Sequence, residues 1–185
     1  MNQVYKDSVA KAKSYYANNT DAIHDLTHSE RVAENAKQIA KSLGYEDFDF
    51  LELCAYWHDV ARTLHKEPHE EVGAVMAKED LLSRGAGENE ANKAYEGIRF
   101  HKSTASPITI EGKIIRDADK LDIYSIVRWE NARHSGWNET YAEDLRKTLD
   151  KVHNYPNTFT YDYTKQEYEK ILPSFLKLAQ NLQDT

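Results

Sequence analysis

An all-α fold is what this sequence predicts, and three observations carry it. Seven glycines and four prolines in 185 residues leave long stretches without punctuation. Apolar residues recur at three- and four-residue spacing, the period of one helix face, and no segment alternates apolar and polar residues as a half-buried strand would. The expectation is a helical bundle of about seven to nine helices forming a single domain over residues 1–185, a length at which one globule buries roughly 70% of its unfolded surface.

In order along the chain, residues ~3–17 read as a mixed polar helix with Val4, Val9, Ala12 and Tyr16 as its apolar stripe. Thr27 with Glu30 three residues on reads as a capping box, followed by Val32, Ala36, Ile39, Ala40 and Leu43, with Gly44 as a stop. Asp49 with Glu52 repeats that box ahead of Leu53, Trp57, Val60 and Leu64. Pro68 suits a first helical residue before Val72, Val75 and Met76, and Gly85 closes that element. Ala91, Ala94, Tyr95 and Ile98 mark a helix running toward His101, broken by Ser103–Pro107. From about Thr109 one long helix carries Ile114, Ala118, Leu121 and Ser125 and ends near Gly136. Tyr141, Leu145, Leu149 and Val152 mark another, stopped at Asn154-Tyr155-Pro156. The last uses Tyr168, Leu172, Phe175, Ala179 and Leu182, with Pro173 expected to kink it or to start a second helix.

Composition narrows the function classes. A net charge of −7 and a pI near 5.6 argue against stable nucleic-acid binding, while leaving room for a local basic pocket. The lone Cys54 excludes an internal disulfide framework and any cysteine-cluster metal site. No apolar run approaches the ~18 residues needed to span a bilayer, and the charged opening MNQVYKDSVAKAK is unlike a signal peptide, so a cytoplasmic protein without a membrane partner is expected. Oligomeric state is open.

Histidine is the feature out of proportion, and it clusters between His24 and His101. His58 and Asp59 are adjacent on a helix that also carries core residues, so their side chains diverge by about 100° and form a wedge over which one ion can sit. His28, in the first turn of its helix, is a further donor. A second carboxylate comes from Arg116-Asp117-Ala118-Asp119-Lys120, where an acid beside core positions needs a partner. Two imidazoles and two carboxylates suit manganese, iron, nickel, zinc or magnesium with positions left open for water.

The strings HDLTHSERV (His24–Val32), WHDVART (Trp57–Thr63) and IIRDADKLD (Ile114–Asp122) stand in an order that resembles the HD superfamily of metal-dependent phosphohydrolases over roughly residues 20–135. The chain is similar to small bacterial HD hydrolases, whose reported or presumed substrates are nucleotides and related phosphoesters. The resemblance implies one divalent metal ion held by His28, His58, Asp59 and Asp119, with His58 and Asp59 at the catalytic step. It makes His24 and Asp25 neighbours that orient His28 or touch substrate, turns Asp117 away, and puts Asp122 one turn behind Asp119 as a support. It also implies a small phosphorylated substrate. Two carboxylates and one divalent ion sum to about zero charge, so cations must meet the phosphate: Arg31, Arg62, Lys102 and Lys120, with His101 in a substrate-contact or leaving-group role.

Other features read as structure. His65 and His69 flank Glu67-Pro68 in a polar turn and are expected on the surface; His134 and His153 sit near helix ends, where the dipole favours a cation. Tyr56, Tyr124 and Trp129 are expected in the core rather than lining a base pocket. The C-terminal helices, about 136–185, complete the core or cap the site. Two rival functions are a non-catalytic nucleotide- or metal-sensing HD domain and a two-iron ring-cleaving oxygenase needing extra ligands such as His101 or His24.

Overall fold

The computed structural model describes residues 2–102 and 104–183. Ser103, part of the expected breaker at 103–107, lies outside them. The described residues form helices and connecting turns, with no strand among them. In order these are α1 (Gln3–Tyr15), α2 (Leu26–Ser42), α3 (Phe48–Trp57), the single turn α4 (Val60–Thr63), α5 (His69–Ser83), α6 (Glu88–Arg99), α7 (Ile110–Asp122), α8 (Ile126–His134), α9 (Glu139–Lys151) and α10 (Asp162–Gln183). Short 3-10 turns cover Tyr16–Asn18 and Tyr155–Thr158.

Two apolar cores organise them. The first draws Val9 and Ala12 of α1, Val32 and Ile39 of α2, Leu53 and Trp57 of α3, Leu81 of α5, Ile98 of α6 and Ile114 of α7 into one cluster. The second gathers Leu121, Tyr124, Trp129, Leu145, Tyr168 and Phe175 from the end of α7 to α10. Helix α7 belongs to both, so the stretch around Asp119 lies where the two meet. Tyr56, Tyr124 and Trp129 are buried, as expected of core residues.

Several expected boundaries move, each for a local reason. The cap of α2 is Asp25, not Thr27: Asp25 is extended and its carboxylate accepts the His28 amide at 2.8 Å, while the Thr27 hydroxyl donates to Asp25. The cap of α3 is likewise Asp47, accepting from the Phe50 amide, rather than Asp49. Pro68 is the residue before α5 and not its first member. The helix carrying His58 and Asp59 is not continuous; α3 ends at Trp57 and Asp59 leaves helical geometry with φ −111° and ψ 7°. The long helix expected from Thr109 to Gly136 is two, because the chain tightens through Ile123 and Tyr124 and becomes extended at Ser125. Conversely, α10 runs unbroken through Pro173. Pro173 and Glu169, whose carbonyl loses its helical donor, are both exposed, so the lost bond lies on the solvent side of the helix and not in the core.

One close approach shapes the site. A Cβ on Gly73 of α5 would lie 3.1 Å from the Trp57 carbonyl oxygen and 3.4 Å from that of His58, so only glycine lets α5 dock against the break after α3. That docking carries His69, the first residue of α5, inward.

Candidate metal centre

Asp25 fixes the start of α2 and thereby sets His28, fully buried, in its first turn. His28 Nδ1 lies 2.7 Å from Asp122 Oδ2, an oxygen that only accepts, so Nδ1 carries hydrogen and Nε2 faces inward. The same logic repeats. His58 Nδ1 donates to the Ala55 carbonyl at 2.6 Å, and His101 Nδ1 to that of Ile98 at 2.7 Å. His69 Nδ1 faces the Glu67 carboxylate at 3.2 Å. All four rings therefore turn Nε2 toward Asp59.

Two groups share that carboxylate. On one side, Asp59 Oδ2 is 3.6 Å from His28 Nε2 and 3.5 Å from His58 Nε2. Asp119 Oδ1 closes this group at 3.4 Å from His28 Nε2 and 3.8 Å from His58 Nε2. On the other side, Asp59 Oδ1 is 3.5 Å from His69 Nε2, 3.6 Å from His101 Nε2 and 3.0 Å from Arg62 Nε. The residues that the sequence singles out as His28, His58, Asp59 and Asp119 thus do converge.

Charge follows from these neighbours. Burial alone depresses an imidazole, yet Asp119, Asp122 and Asp59 raise His28 to about 10. Burial wins at His58 and lowers it to about 4. Burial opposes ionisation of Asp59, but His58 and Arg62 hold it well below the usual carboxylate range; against the same burial, His28 and His58 do so for Asp119. The centre draws positive charge to itself. Its donor chemistry fits a divalent ion: the Nε2 atoms of His28 and His58 face each other at 3.1 Å, and His69 Nε2 is buried without a hydrogen-bond partner. Imidazole nitrogen with carboxylate oxygen suits the borderline ions named above.

The other expected residues divide. A cavity of about 160 Å³ beside the centre is lined by Asp59, Arg62, His101, Lys102, Asp119 and Lys120. Lys102 pairs with Glu70 at 2.6 Å. Lys120 Nζ donates to the Thr158 carbonyl at 3.2 Å, and burial with nearby Arg116 pushes it down to about 8. Arg31 does not join them. Its guanidinium is taken by both oxygens of Asp122, at 2.6 and 3.1 Å, and it lines a different cavity. Asp117 faces away, accepting the amides of Thr160 and Tyr161, which ties the segment after α9 to α7.

Sequence reasoning missed two residues. His69, expected on the surface, is 2% exposed. Arg128 of α8 is buried; it donates to His24 Nε2 at 3.1 Å, and its other terminal nitrogen lies 3.1 Å from His28 Nδ1, itself a donor, and 3.5 Å from the Asp122 carboxylate that both face. His24 is thereby committed, since its Nδ1 is held by Asp21 at 2.7 Å. The signal for Arg128 lies in Ser125, which splits the stripe and starts the helix that carries it.

A family model described as "HD domain" matches residues 25–124. A deoxyguanosinetriphosphate triphosphohydrolase-like protein of Caldanaerobacter subterraneus is 29% identical over 109 residues, covering 52% of this chain and 32% of that protein. The chain spans about a third of the length of the curated relatives it matches. Among solved structures, an HD superfamily hydrolase from an uncultured Thermotogales bacterium has a TM-score of 0.70 at 24% identity, covering 97% of this chain and 91% of that one. Bacillus subtilis YpgQ in complex with ADP has a TM-score of 0.68 at 20% identity, covering 98% of this chain and 96% of that one. These likenesses bear on fold. Among the described residues, no helix is long and apolar enough to cross a membrane.

Proposed function

The chain belongs to the HD domain family, and from that premise we propose that it is a divalent-metal-dependent phosphohydrolase acting on a small phosphoester or phosphoanhydride, a nucleotide foremost. The observation that carries this is that His28 Nε2 and His58 Nε2 each lie within 3.8 Å of both Asp59 and Asp119, beside a cavity that those two aspartates line. Relatives named for deoxyguanosine triphosphate hydrolysis and a structural neighbour holding ADP favour a nucleotide.

In this reading His28, His58, Asp59 and Asp119 hold the ion. When bound, it supplies Lewis acidity, drawing charge from a phosphoryl oxygen and making a nearby water easier to deprotonate. The chain does the rest. Asp122 and the Ala55 carbonyl hold the His28 and His58 rings in one tautomer with Nε2 inward. Arg62, Lys102 and Lys120 line the cavity with positive charge against the phosphate, and His101 stands beside Asp59 to contact substrate or leaving group. Arg31 acts through Asp122 as a positioning residue.

One observation favours a second ion: Asp59 Oδ1, His69 and His101 form another group with donor atoms within 4.8 Å of each other. Metal analysis decides the number. A screen of phosphoesters with manganese, nickel and magnesium tests the whole reading, with turnover expected in at least one metal and abolished in Asp59→Ala. A protein that retains no metal and is inert across the screen overturns it, and unchanged turnover in Asp59→Ala rejects the site.

A further inference from the structure

The cavity at the centre does not end there. A second one, of about 320 Å³, shares His24, Arg62, Ile123, Arg128 and Tyr155 with it and extends to α9. Asp144, Lys147, Thr148 and Lys151 line its far wall, at the i, i+3, i+4 and i+7 spacing that puts them on one helix face. Two lysines four apart on one face repel each other. Lys147 is relieved on its solvent side by Glu143 at 3.3 Å and more distantly by Asp144 at 3.9 Å. Lys151 has no carboxylate within ion-pair distance among the described residues. Between this wall and the centre stands Arg128, buried, with its Nε lacking a hydrogen-bond partner. In a chain of net charge −7, a cleft lined by Arg62, Arg128, Lys147 and Lys151 against one aspartate is a local reversal of sign. A repelling lysine pair on one wall of the cleft is relieved by an anion lying along it.

We propose that α9 and Arg128 form a seat for the phosphates beyond the one at the centre, so that the substrate class is a molecule with two or more consecutive phosphates rather than a monoester. This rests on the phosphohydrolase reading above. The cleft then sets specificity: Arg62 spans both compartments, Arg128 occupies the joint, and Lys147 and Lys151 meet the remote end.

Binding of two non-hydrolysable probes to the manganese-loaded protein tests it by calorimetry: methylphosphonate, with one phosphorus, and bis-methylene triphosphonate, with three. The wild type is expected to bind the triphosphonate more tightly. The double variant Lys147→Gln/Lys151→Gln, at surface positions, should lose about tenfold or more of triphosphonate affinity, the scale of one charge-assisted hydrogen bond, with methylphosphonate unchanged and Lys→Arg at both positions restoring binding. Equal affinity of the wild type for both probes, or a double variant that binds both as the wild type does, overturns the seat and leaves the hydrolase reading standing. An equal loss for both probes also overturns it, since that reports a general field and not a remote contact. Should neither probe bind the loaded wild type, the hydrolase reading falls with it.

Discussion

Replacing Asp122 with asparagine separates the orientation of His28 from the stability of its surroundings. Asp122 is fully buried and takes three strong contacts: His28 Nδ1 at 2.7 Å, and Arg31 Nε at 2.6 Å and a terminal nitrogen at 3.1 Å, with Arg128 further off at 3.5 Å. Against the cost of burial, His28, Arg31 and Arg128 keep its carboxyl well below the usual range, so it is the ionised form that they hold. The Asp122→Asn amide can still accept from one of them, but its NH2 end faces donors and the charge is gone. Losing one member of a buried ion pair costs about 3–5 kcal/mol, and retention of one hydrogen bond places the expected loss near the lower end. Urea unfolding in chelator at pH 7 measures it. The second effect is on the ion: losing the support behind a ligating imidazole weakens metal by about 10- to 100-fold, read by titrating manganese into the stripped protein. Asp117→Asn is the control, because Asp117 is equally buried on the same helix, accepts from the Thr160 and Tyr161 backbone amides with Arg116 more distant at 3.9 Å, and touches none of the candidate ligands. It should lose stability and keep its manganese affinity. If Asp122→Asn also keeps its manganese affinity while unfolding more easily, the orienting role is refuted and Asp122 is a structural counterion.

Three further outcomes follow from the same geometry. Gly73→Ala gains about 0.5–1 kcal/mol of helix propensity but overpacks against the Trp57 and His58 carbonyls at about 1–3 kcal/mol, so its melting temperature should fall; an unchanged or higher value would show that α5 can retreat freely. Away from the centre, burial opposes Glu111 but Lys93, at 2.9 Å, and Tyr45 lower its pKa. A lowered folded pKa means its stabilisation is present above the unfolded value of about 4.3 and lost as pH falls through the folded one. Glu111→Gln should flatten the stability profile in that acid window and nowhere else, a prediction that an unaltered acid limb defeats. Finally, manganese at about 100 times its dissociation constant should stabilise the wild type by about 2.7 kcal/mol over the chelated protein, and a melting curve indifferent to metal would contradict the candidate centre.

How much of this was legible beforehand depends on how local each cause is. The all-helical class and the apolar stripes of α2, α6 and α9 follow from periodicity, a property of neighbouring residues. The order His28, His58-Asp59, Asp119 was readable through the three motif strings and their resemblance to the HD superfamily. The exact caps were misread since Asp25 and Asp47 compete with nearby residues of similar chemistry, and the winner is the one whose backbone stands outside helical geometry with its carboxylate on an amide three residues on. The break at Asp59 escaped notice because the apolar spacing continues across it.

What the chain alone determined, then, is the all-helical class and most of the apolar faces, while the set His28, His58, Asp59 and Asp119 is what the family resemblance of its three motif strings implies. Tertiary packing decided the rest. His69 follows a proline in a polar turn and is buried only because Gly73 lets α5 close on the Trp57 and His58 carbonyls. Arg128 reaches His28 from 100 residues away, and α9 brings its lysines to a cleft that begins at Asp59. Periodicity reports the face a residue occupies on its own helix, whereas these contacts depend on how separate helices dock, and that is settled by close packing between segments distant in sequence.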